Sequence, residues 1–217
     1  MSKQDFEAMR RAMVSNQLRT AAVNDAAVVA AMAAVPRERF VPAERESLAY
    51  LDITVPLGNG RALNPPLVTG RLLTEAHPMP GDRTLVVGAA TGYAAALLAR
   101  LTASVVALEE EPSLVAALEK TFAGVSDVTV VSGPLADGWA EGGPYDLILV
   151  DGAIETLPDA LVAQLADGGR LAAAVIEKGV SRLTIGRRSG SGFGSRAFVD
   201  ADAAALPGFA RPRAFSF

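Results

Sequence analysis

From Arg83 to Ile176, short apolar segments rich in β-branched residues alternate with amphipathic segments of helical length. The predicted strands are the run TLVVG at 84–88, Ser104–Leu108, Val128–Val131, Tyr145–Val150 and Arg170–Ile176. The predicted helices between them are Thr91–Leu101, Pro112–Phe122 and Pro158–Leu165. Because parallel strands are usually joined by a crossover helix, this alternation predicts a mostly parallel sheet with helices on both faces. We therefore expect an α/β fold with a doubly wound, Rossmann-like sheet.

The regions that flank the alternating part have other patterns. The first 80 residues predict a helical extension, with helices around Met9–Leu18 and over Ala26–Val35, Ala43–Tyr50 and Leu67–Ala76. Within it, ITVPLGNGRALNPP at 53–66 carries many turn formers and is long for a plain connection, which is typical of a functional loop. In the tail, Val180–Arg188 and Arg196–Val199 flank SGSGFGS and predict a β-hairpin with a mobile tip. We divide the chain into 1–80, the extension with its loop, and 81–217, the α/β unit, packed together as one compact body.

The tail also holds a group of arginines. They are Arg182, Arg187, Arg188, Arg196, Arg211 and Arg213. A cluster of cations can attract an acidic partner. We favour the plainer interpretation that they lie on a solvated face of the hairpin.

Composition limits the chemistry that is open to this chain. It has 217 residues, no cysteine and one histidine, so disulfides, thiolate nucleophiles and thiolate or multi-histidine metal sites are excluded, and we expect no bound metal. Twenty basic against 24 acidic residues give a net charge of −4, which argues against nucleic-acid binding. The apolar run at 26–35 is too short to span a bilayer and no secretory signal opens the chain. We therefore expect a soluble cytoplasmic protein.

The turn after the first strand of the alternating part has the composition of a ligand-binding loop. It reads Gly88-Ala89-Ala90-Thr91-Gly92, whose small residues let a ligand approach the backbone at the start of a helix. Glu109 ends the next strand, 21 positions after Gly88, where a carboxylate can accept both hydroxyls of a ribose. Neither G-x-G-x-x-G nor a P-loop is present, so a ligand without pyrophosphate, such as S-adenosylmethionine, fits better. A plain strand–helix turn is the alternative interpretation.

The other acidic residues near the predicted strand ends have two interpretations each. Glu110 and Glu111 precede Pro112 and favour the N-terminus of the next helix through its dipole, a role that is also the alternative for Glu109. Asp151 follows the apolar run LILV, where it can orient a substrate or bind the ammonium group of the cofactor's methionine. It can equally be a turn residue ahead of the following glycine.

Several segments together resemble the protein-L-isoaspartate O-methyltransferase family, a branch of the class I S-adenosylmethionine-dependent methyltransferases. In chain order they are MVSNQLR, VPRERFVP, LAYLDITVPLGNGRALNPP, PGDRTLVVGAATGYAAALLA, VVALEEEP, GPYDLILVDGA and LADGGRL. They extend from residue 13 to residue 171. The resemblance implies methyl transfer from S-adenosylmethionine to the carboxylate of L-isoaspartyl residues in damaged proteins or peptides. It leaves open whether the chain is a monomer or a homodimer.

The resemblance also implies roles for particular residues. The family's Thr-Ile-Ser beside the methyl-transfer site corresponds to Ala62-Leu63-Asn64, so Asn64 stands where the family has its serine. The cofactor-binding residues are predicted to be Leu63, Gly88, Ala89, Ala90, Gly92, Glu109, Glu110, Pro134, Leu135 and Asp151. Methylation of a carboxylate needs no general base, because the nucleophile is already ionised at neutral pH. Two alternatives stay open: a catalytically silent relative that keeps the fold for binding, and a methyltransferase with a small-molecule substrate.

Overall fold

The computed structural model describes residues 5–211 and has nine strands in that range. They are β1 (Val55–Gly58), β2 (Arg61–Leu63), β3 (Arg83–Val87), β4 (Ser104–Glu109), β5 (Val128–Ser132), β6 (Tyr145–Ile154), β7 (Leu165–Glu177), β8 (Val180–Ser189) and β9 (Gly192–Asp200). Strands β3 to β9 form one sheet in the order β5-β4-β3-β6-β7-β8-β9. The five strands from β5 to β7 in this order are parallel, and β8 and β9 are antiparallel. This confirms the predicted doubly wound, mostly parallel sheet.

The side chains of the central strands point alternately into two separate apolar cores. In β6, Leu147 and Leu149 belong to the larger core, while Ile148 and Val150 belong to the smaller one. All four are at most 1% exposed. A strand that is buried on both faces reads as a continuous apolar run, which is why LILV predicts a central strand. The sheet order changes direction between β3 and β6, so their carboxyl ends border the crevice where open α/β sheets bind ligands.

Six α-helices lie within the described residues. They are α1 (Phe6–Ala12), α2 (Ala26–Ala34), α3 (Pro66–Ala76), α4 (Tyr93–Leu98), α5 (Pro112–Thr121) and α6 (Asp159–Ala163). The helix predicted over Ala43–Tyr50 is a 3₁₀ segment, Ala43–Leu48, because Arg45 and Ala49 close i to i+3 hydrogen bonds. No helix within residues 5–211 is long and apolar enough to cross a membrane.

Two predictions about the connections are wrong. The stretch at 53–66 is not only a loop, because β1 and β2 in it pair as an antiparallel hairpin. The C-terminal hairpin is present, but its tip is shorter than predicted, since Gly192 already pairs with Ser189. The ring of Phe193 covers Gly186 on the neighbouring strand, where an added Cβ would lie 2.1 Å from the ring. This cross-strand contact draws the glycine-rich segment into the sheet.

The arginines of the tail are largely engaged with the protein itself. Arg182 pairs with Asp200 at 3.1 Å, and Arg196 pairs with Glu75 on α3. Arg188 donates to the backbone carbonyls of Ala163, at the end of α6, and Leu165, at the start of β7. Arg213 lies outside the described residues.

Thr84 in the centre of β3 carries a buried hydroxyl that has no hydrogen-bond partner among residues 5–211. A Thr84→Val variant removes this hydroxyl at nearly constant volume, so we expect the free energy of unfolding to rise by about 1 kcal/mol. Thr84→Ser keeps the hydroxyl and deletes a buried methyl group, so it should lower that free energy by about 1 kcal/mol. Urea denaturation of the three proteins measures both values. A loss of stability in T84V would show that the hydroxyl has a partner.

Candidate active site

The loop between β3 and α4 has a backbone that only small residues allow. Gly88, Ala90 and Gly92 all have positive φ angles, of 77°, 51° and 99°. An added Cβ on Gly92 would lie 2.7 Å from the ring of Phe122, so this position has no room for a side chain. Ala90 is the exception, because an L-residue is strained in the left-handed region. Its N–H donates to Oε2 of Glu109 at 2.8 Å, which holds it there.

Glu109 is fully buried at the end of β4, next to this loop. Besides the bond from Ala90, its carboxylate receives the backbone N–H groups of Glu110 at 2.9 Å and Glu111 at 3.1 Å, both on Oε1. The fourth donor is Nη1 of Arg61, which forms a buried ion pair with the same oxygen. The side chains of Arg61 and Glu109 are 3% and 0% exposed. The carboxylate predicted to receive a ribose is therefore bonded on both oxygens by the protein itself.

Asn64 follows β2 and connects two sides of the crevice. Its Nδ2 donates to Oδ1 of Asp151 at 2.8 Å, and its Oδ1 accepts the backbone N–H of Ala204, also at 2.8 Å. Both Asn64 and Asp151 are almost completely buried, at 1% and 6% exposure. Asn64 thus joins the residues after the β1–β2 hairpin to β6 and to the C-terminal segment, which is the stretch around Ala204 that follows β9.

Arg37, from the VPRERFVP segment, holds the backbone of Asn64 by a hydrogen bond. Its Nη2 donates to the backbone carbonyl of Asn64 and its Nε to that of Ala49, the latter at 2.7 Å. The guanidinium stacks on the ring of Tyr93 at 4.6 Å from the centroid. Nη1 of Arg37 and the hydroxyl of Tyr93 have no hydrogen-bond partner within residues 5–211. Burial lowers the pKa of the Arg37 guanidinium and raises that of the Tyr93 hydroxyl, so each neutral form is favoured relative to water.

The remaining predicted cofactor residues lie in different surroundings. Leu63 packs in the larger core and Leu135 in the smaller one. Pro134 is exposed, and Glu110 is partly exposed. The loop that carries Pro134 starts beside Glu109, whose carbonyl accepts the N–H of Gly133 at 3.2 Å. The structure therefore brings Gly88–Gly92, Glu109, Asn64 and Asp151 together, and it leaves the Pro134 side chain in solvent.

Three contributors to this site are missing from the sequence-based prediction. They are Arg61, Arg37 and the segment Ala204–Leu206, which runs beside the end of β6 with Leu206 N bonded to Ala153 O at 2.9 Å. An added Cβ on Gly88 would lie 2.9 Å from Cδ2 of Leu206 and 3.1 Å from Nη2 of Arg61. The only signal for Arg61 is a cationic side chain directly after the Gly58-Asn59-Gly60 turn, and this does not identify its partner.

The residues of the site fit S-adenosylmethionine in their chemistry. Glu109 offers the carboxylate that is predicted to receive the ribose, and the loop from Gly88 permits close backbone approach. Two buried polar atoms beside Asn64, Nη1 of Arg37 and the hydroxyl of Tyr93, have unused hydrogen-bonding capacity. In the arrangement described here the space over Gly88 is filled by Arg61 and Leu206. The donor set nevertheless suits the cofactor.

Comparisons with known proteins agree with this architecture. A family model described as Protein-L-isoaspartate(D-aspartate) O-methyltransferase matches residues 8–196. A protein-L-isoaspartate O-methyltransferase of Methanoregula boonei is 38% identical over 184 residues, which cover 84% of this chain and 85% of that protein. One of Methylorubrum extorquens is 41% identical over 191 residues, covering 87% and 84%.

Solved structures resemble the whole fold. A protein-L-isoaspartate O-methyltransferase superimposes with a TM-score of 0.80 at 21% identity, covering 92% of this chain and 66% of that one. A Plasmodium falciparum protein described as the same kind of enzyme, solved in complex with S-adenosyl-L-homocysteine, gives a TM-score of 0.79 at 20% identity. That match covers 91% of this chain and 97% of the other. At these identities the structural likeness concerns the fold.

Asp151 should make stability depend on pH in a defined direction. Burial raises the pKa of its carboxyl above the ordinary value of 3.8, and the bond from Asn64 and the charge of Arg37 only partly offset this. The folded state then binds the proton more tightly than the unfolded chain, so stability falls as pH rises from about 4 through the raised pKa. Asp151→Asn keeps the acceptor for Asn64 and removes the titration. Its unfolding free energy minus that of the wild type should grow over this pH range.

Urea denaturation of both proteins at several pH values between 4 and 8 measures this difference. The other carboxyl groups titrate in both proteins, so their contributions largely cancel. A difference that stays constant or shrinks with rising pH would contradict a raised pKa for Asp151.

Proposed function

The chain belongs to the protein-L-isoaspartate(D-aspartate) O-methyltransferase family, and from this premise we propose that it transfers a methyl group from S-adenosylmethionine to the carboxylate of L-isoaspartyl residues in proteins or peptides. The observation that carries the proposal is the meeting of Glu109, Asn64 and Asp151 around the Gly88–Gly92 loop at the carboxyl ends of β4, β3 and β6. The family model spans all of these residues. Both the family match and the arrangement of these residues therefore support the proposal.

Asn64 is suited to hold the acceptor carboxylate. Its amide orientation follows from its partners, because the Ala204 N–H can only donate and the Asp151 carboxylate can only accept. One N–H of Nδ2 bonds to Asp151, and an amide nitrogen carries two hydrogens. The second remains for a carboxylate oxygen of the substrate. An amide fixed in this way can take over the positioning task of the family's serine.

The reaction asks little acid–base chemistry of the protein. The acceptor carboxylate is ionised at neutral pH and needs no deprotonation. S-Adenosylmethionine supplies, when bound, a methyl group on a positively charged sulfur that leaves as a neutral thioether. The chain's own task is to align the acceptor and exclude water, and good alignment can contribute roughly 7–11 kcal/mol. A protein with one histidine and no cysteine can perform this task.

We assign the other site residues accordingly. Glu109 accepts the ribose hydroxyls, and Asp151 orients Asn64 and lies near the methionine end of the cofactor. The backbone of the Gly88–Gly92 loop, with Ala89 and Ala90, contacts the nucleoside, and Leu63 closes over the methyl group. Glu110, Pro134 and Leu135 border the adenine. A cytoplasmic location and a lack of nucleic-acid partners are further expectations from the sequence, and a monomer and a homodimer both stay possible.

Methyl transfer to a defined peptide tests the function directly. With radiolabelled S-adenosylmethionine, we expect base-labile methyl ester on a peptide that contains one L-isoaspartyl residue. The same peptide with a normal aspartyl linkage is the matched control and should stay unlabelled. Calorimetric titration with S-adenosylhomocysteine accompanies the assay.

Each combination of results has a distinct meaning. Failure to bind S-adenosylhomocysteine at millimolar concentration would overturn the enzyme proposal and favour a silent relative. Binding without label on the isoaspartyl peptide would contradict the proposed acceptor and direct the search to small-molecule substrates.

Asn64→Ala should mainly affect the use of the acceptor. The change removes the fixed amide, and a misplaced reactant can cost about 10²-fold, so we expect kcat/KM for the peptide to fall by about that factor. Asn64→Ser keeps one donor and should lose less than about tenfold, as expected from one hydrogen bond of about 1 kcal/mol. Steady-state kinetics measure both. Asn16→Ala, the same change at an exposed position, should leave kcat/KM unaltered, and an equal loss there would contradict the assignment.

A further inference from the structure

The β1–β2 hairpin is fastened across the cofactor loop by polar contacts. At its tip, Nδ2 of Asn59 donates to Oε1 of Glu111 at 2.9 Å and contacts Oγ of Ser113 at 3.2 Å, both at the start of α5. At the first residue of β2, Arg61 pairs with Glu109. Arg45 donates to the carbonyl of Pro56 in β1. The hairpin is therefore closed over the end of β4, and Arg61 is its only buried charged contact among those just named.

The Arg61 guanidinium bonds to the carboxylate that the proposed function assigns to the ribose. Nη1 bonds to Glu109, while Nη2 donates to the carbonyl of Gly88 at 3.2 Å. Two N–H donors from one planar group thus bridge the carboxylate and the glycine loop, as a pair of neighbouring hydroxyls would. Arg61 is 4% exposed, so water does not compete for these bonds.

While Arg61 is bound, one of the two oxygens of Glu109, Oε1, has no capacity left for a ribose hydroxyl. Each oxygen of an ionised carboxylate accepts about two hydrogen bonds. Oε1 of Glu109 receives three, from Arg61, Glu110 and Glu111, whereas Oε2 receives one, from Ala90. Three of these four bonds come from backbone N–H groups of Ala90, Glu110 and Glu111, which belong to the loop and the start of α5. Only the bond from Arg61 comes from a side chain that can rotate away. A ribose that places one hydroxyl on each carboxylate oxygen therefore needs Arg61 to leave Oε1, which then keeps two bonds.

We propose that Arg61 is an internal competitor of the cofactor, which holds the ribose-binding carboxylate and sets the affinity for S-adenosylmethionine by the free energy needed to displace its guanidinium. The inference rests on the proposed function, because it assigns Glu109 to the ribose. The inference gives Arg61 two roles in its ion pair with Glu109. Arg61 compensates the buried charge when the hairpin is closed, and it opposes ligand binding for the same reason.

Titration of Arg61→Ala with S-adenosylhomocysteine tests the proposal. We expect at least tenfold tighter binding than in the wild type, because no guanidinium has to leave. Without ligand, the same variant should melt at a lower temperature, because the buried carboxylate has lost its counter-charge. A purely structural role would weaken both stability and binding, so the opposite signs of the two effects distinguish the interpretations. Calorimetry and thermal melting measure them independently of turnover.

Two further variants make the comparison sharper. Arg61→Lys keeps the charge but not the planar pair of donors, and we expect an affinity between those of R61A and the wild type. Arg45→Ala removes the other arginine that contacts the hairpin without touching Glu109, and its affinity should stay within twofold of the wild type. If R45A tightened binding as much as R61A, hairpin mobility rather than competition for Glu109 would be responsible, and the proposal would be wrong.

A measurement on the unaltered protein covers the case in which R61A does not fold. In protein labelled with ¹⁵N-arginine, the buried Arg61 side-chain N–H groups should exchange slowly with water, and R61K identifies their signal. Addition of S-adenosylhomocysteine should make this exchange fast. Continued protection in the saturated complex would overturn the inference. If S-adenosylhomocysteine binds neither wild type nor R61A, the proposed function fails; if it binds both equally, only the competition fails.

Discussion

The site is organised by the need to keep one carboxylate charged without contact with solvent. A buried ion costs several kcal/mol unless hydrogen bonds and an opposite charge compensate it, and Glu109 is 0% exposed. Its donors come from three parts of the chain: the loop after β3, the start of α5 and the β1–β2 hairpin. The same bonds hold Ala90 in a left-handed conformation and close the hairpin. The loop geometry and the start of α5 therefore depend on this side chain, which also anchors the hairpin together with the contacts of Asn59 and Arg45.

Much of the sheet could be predicted from the sequence because its central strands are buried on both faces. LILV in β6 and LVV in β3 are continuous apolar runs, and the helices between the strands impose parallel order. The segment boundaries failed where pairing depends on contacts between distant residues. Gly192–Ser195 reads as a flexible tip, yet Phe193 covers Gly186 and extends the ladder. Short-range pattern contains no signal for such a contact.

For the candidate site, too, the sequence predicts the residues at strand ends but not the contacts between distant residues. Carboxyl ends of parallel strands meet at one edge, so the positions of Glu109 and Asp151 could be expected beside the glycine loop. The role of Arg61 could not be predicted, because its partner Glu109 lies 48 positions further along the chain. Arg37 belongs to a quoted family segment, but its task depends on carbonyls at 49 and 64 that come close only in the folded chain.

Arg37 and Arg61 act on the two ends of one short segment. Arg61 begins β2 and faces Glu109, whereas Asn64 follows β2 and is held by Arg37, Asp151 and the C-terminal segment. A guanidinium suits the Arg37 position because its several donors in a fixed plane reach two carbonyls while its face stacks on an aromatic ring. Since none of the bonds to Asn64 involves the hairpin, release of Arg61 leaves the amide in place. Cofactor entry thus depends on the contacts of Arg61, and acceptor alignment depends on the contacts of Asn64, although Arg61 and Asn64 are only three positions apart.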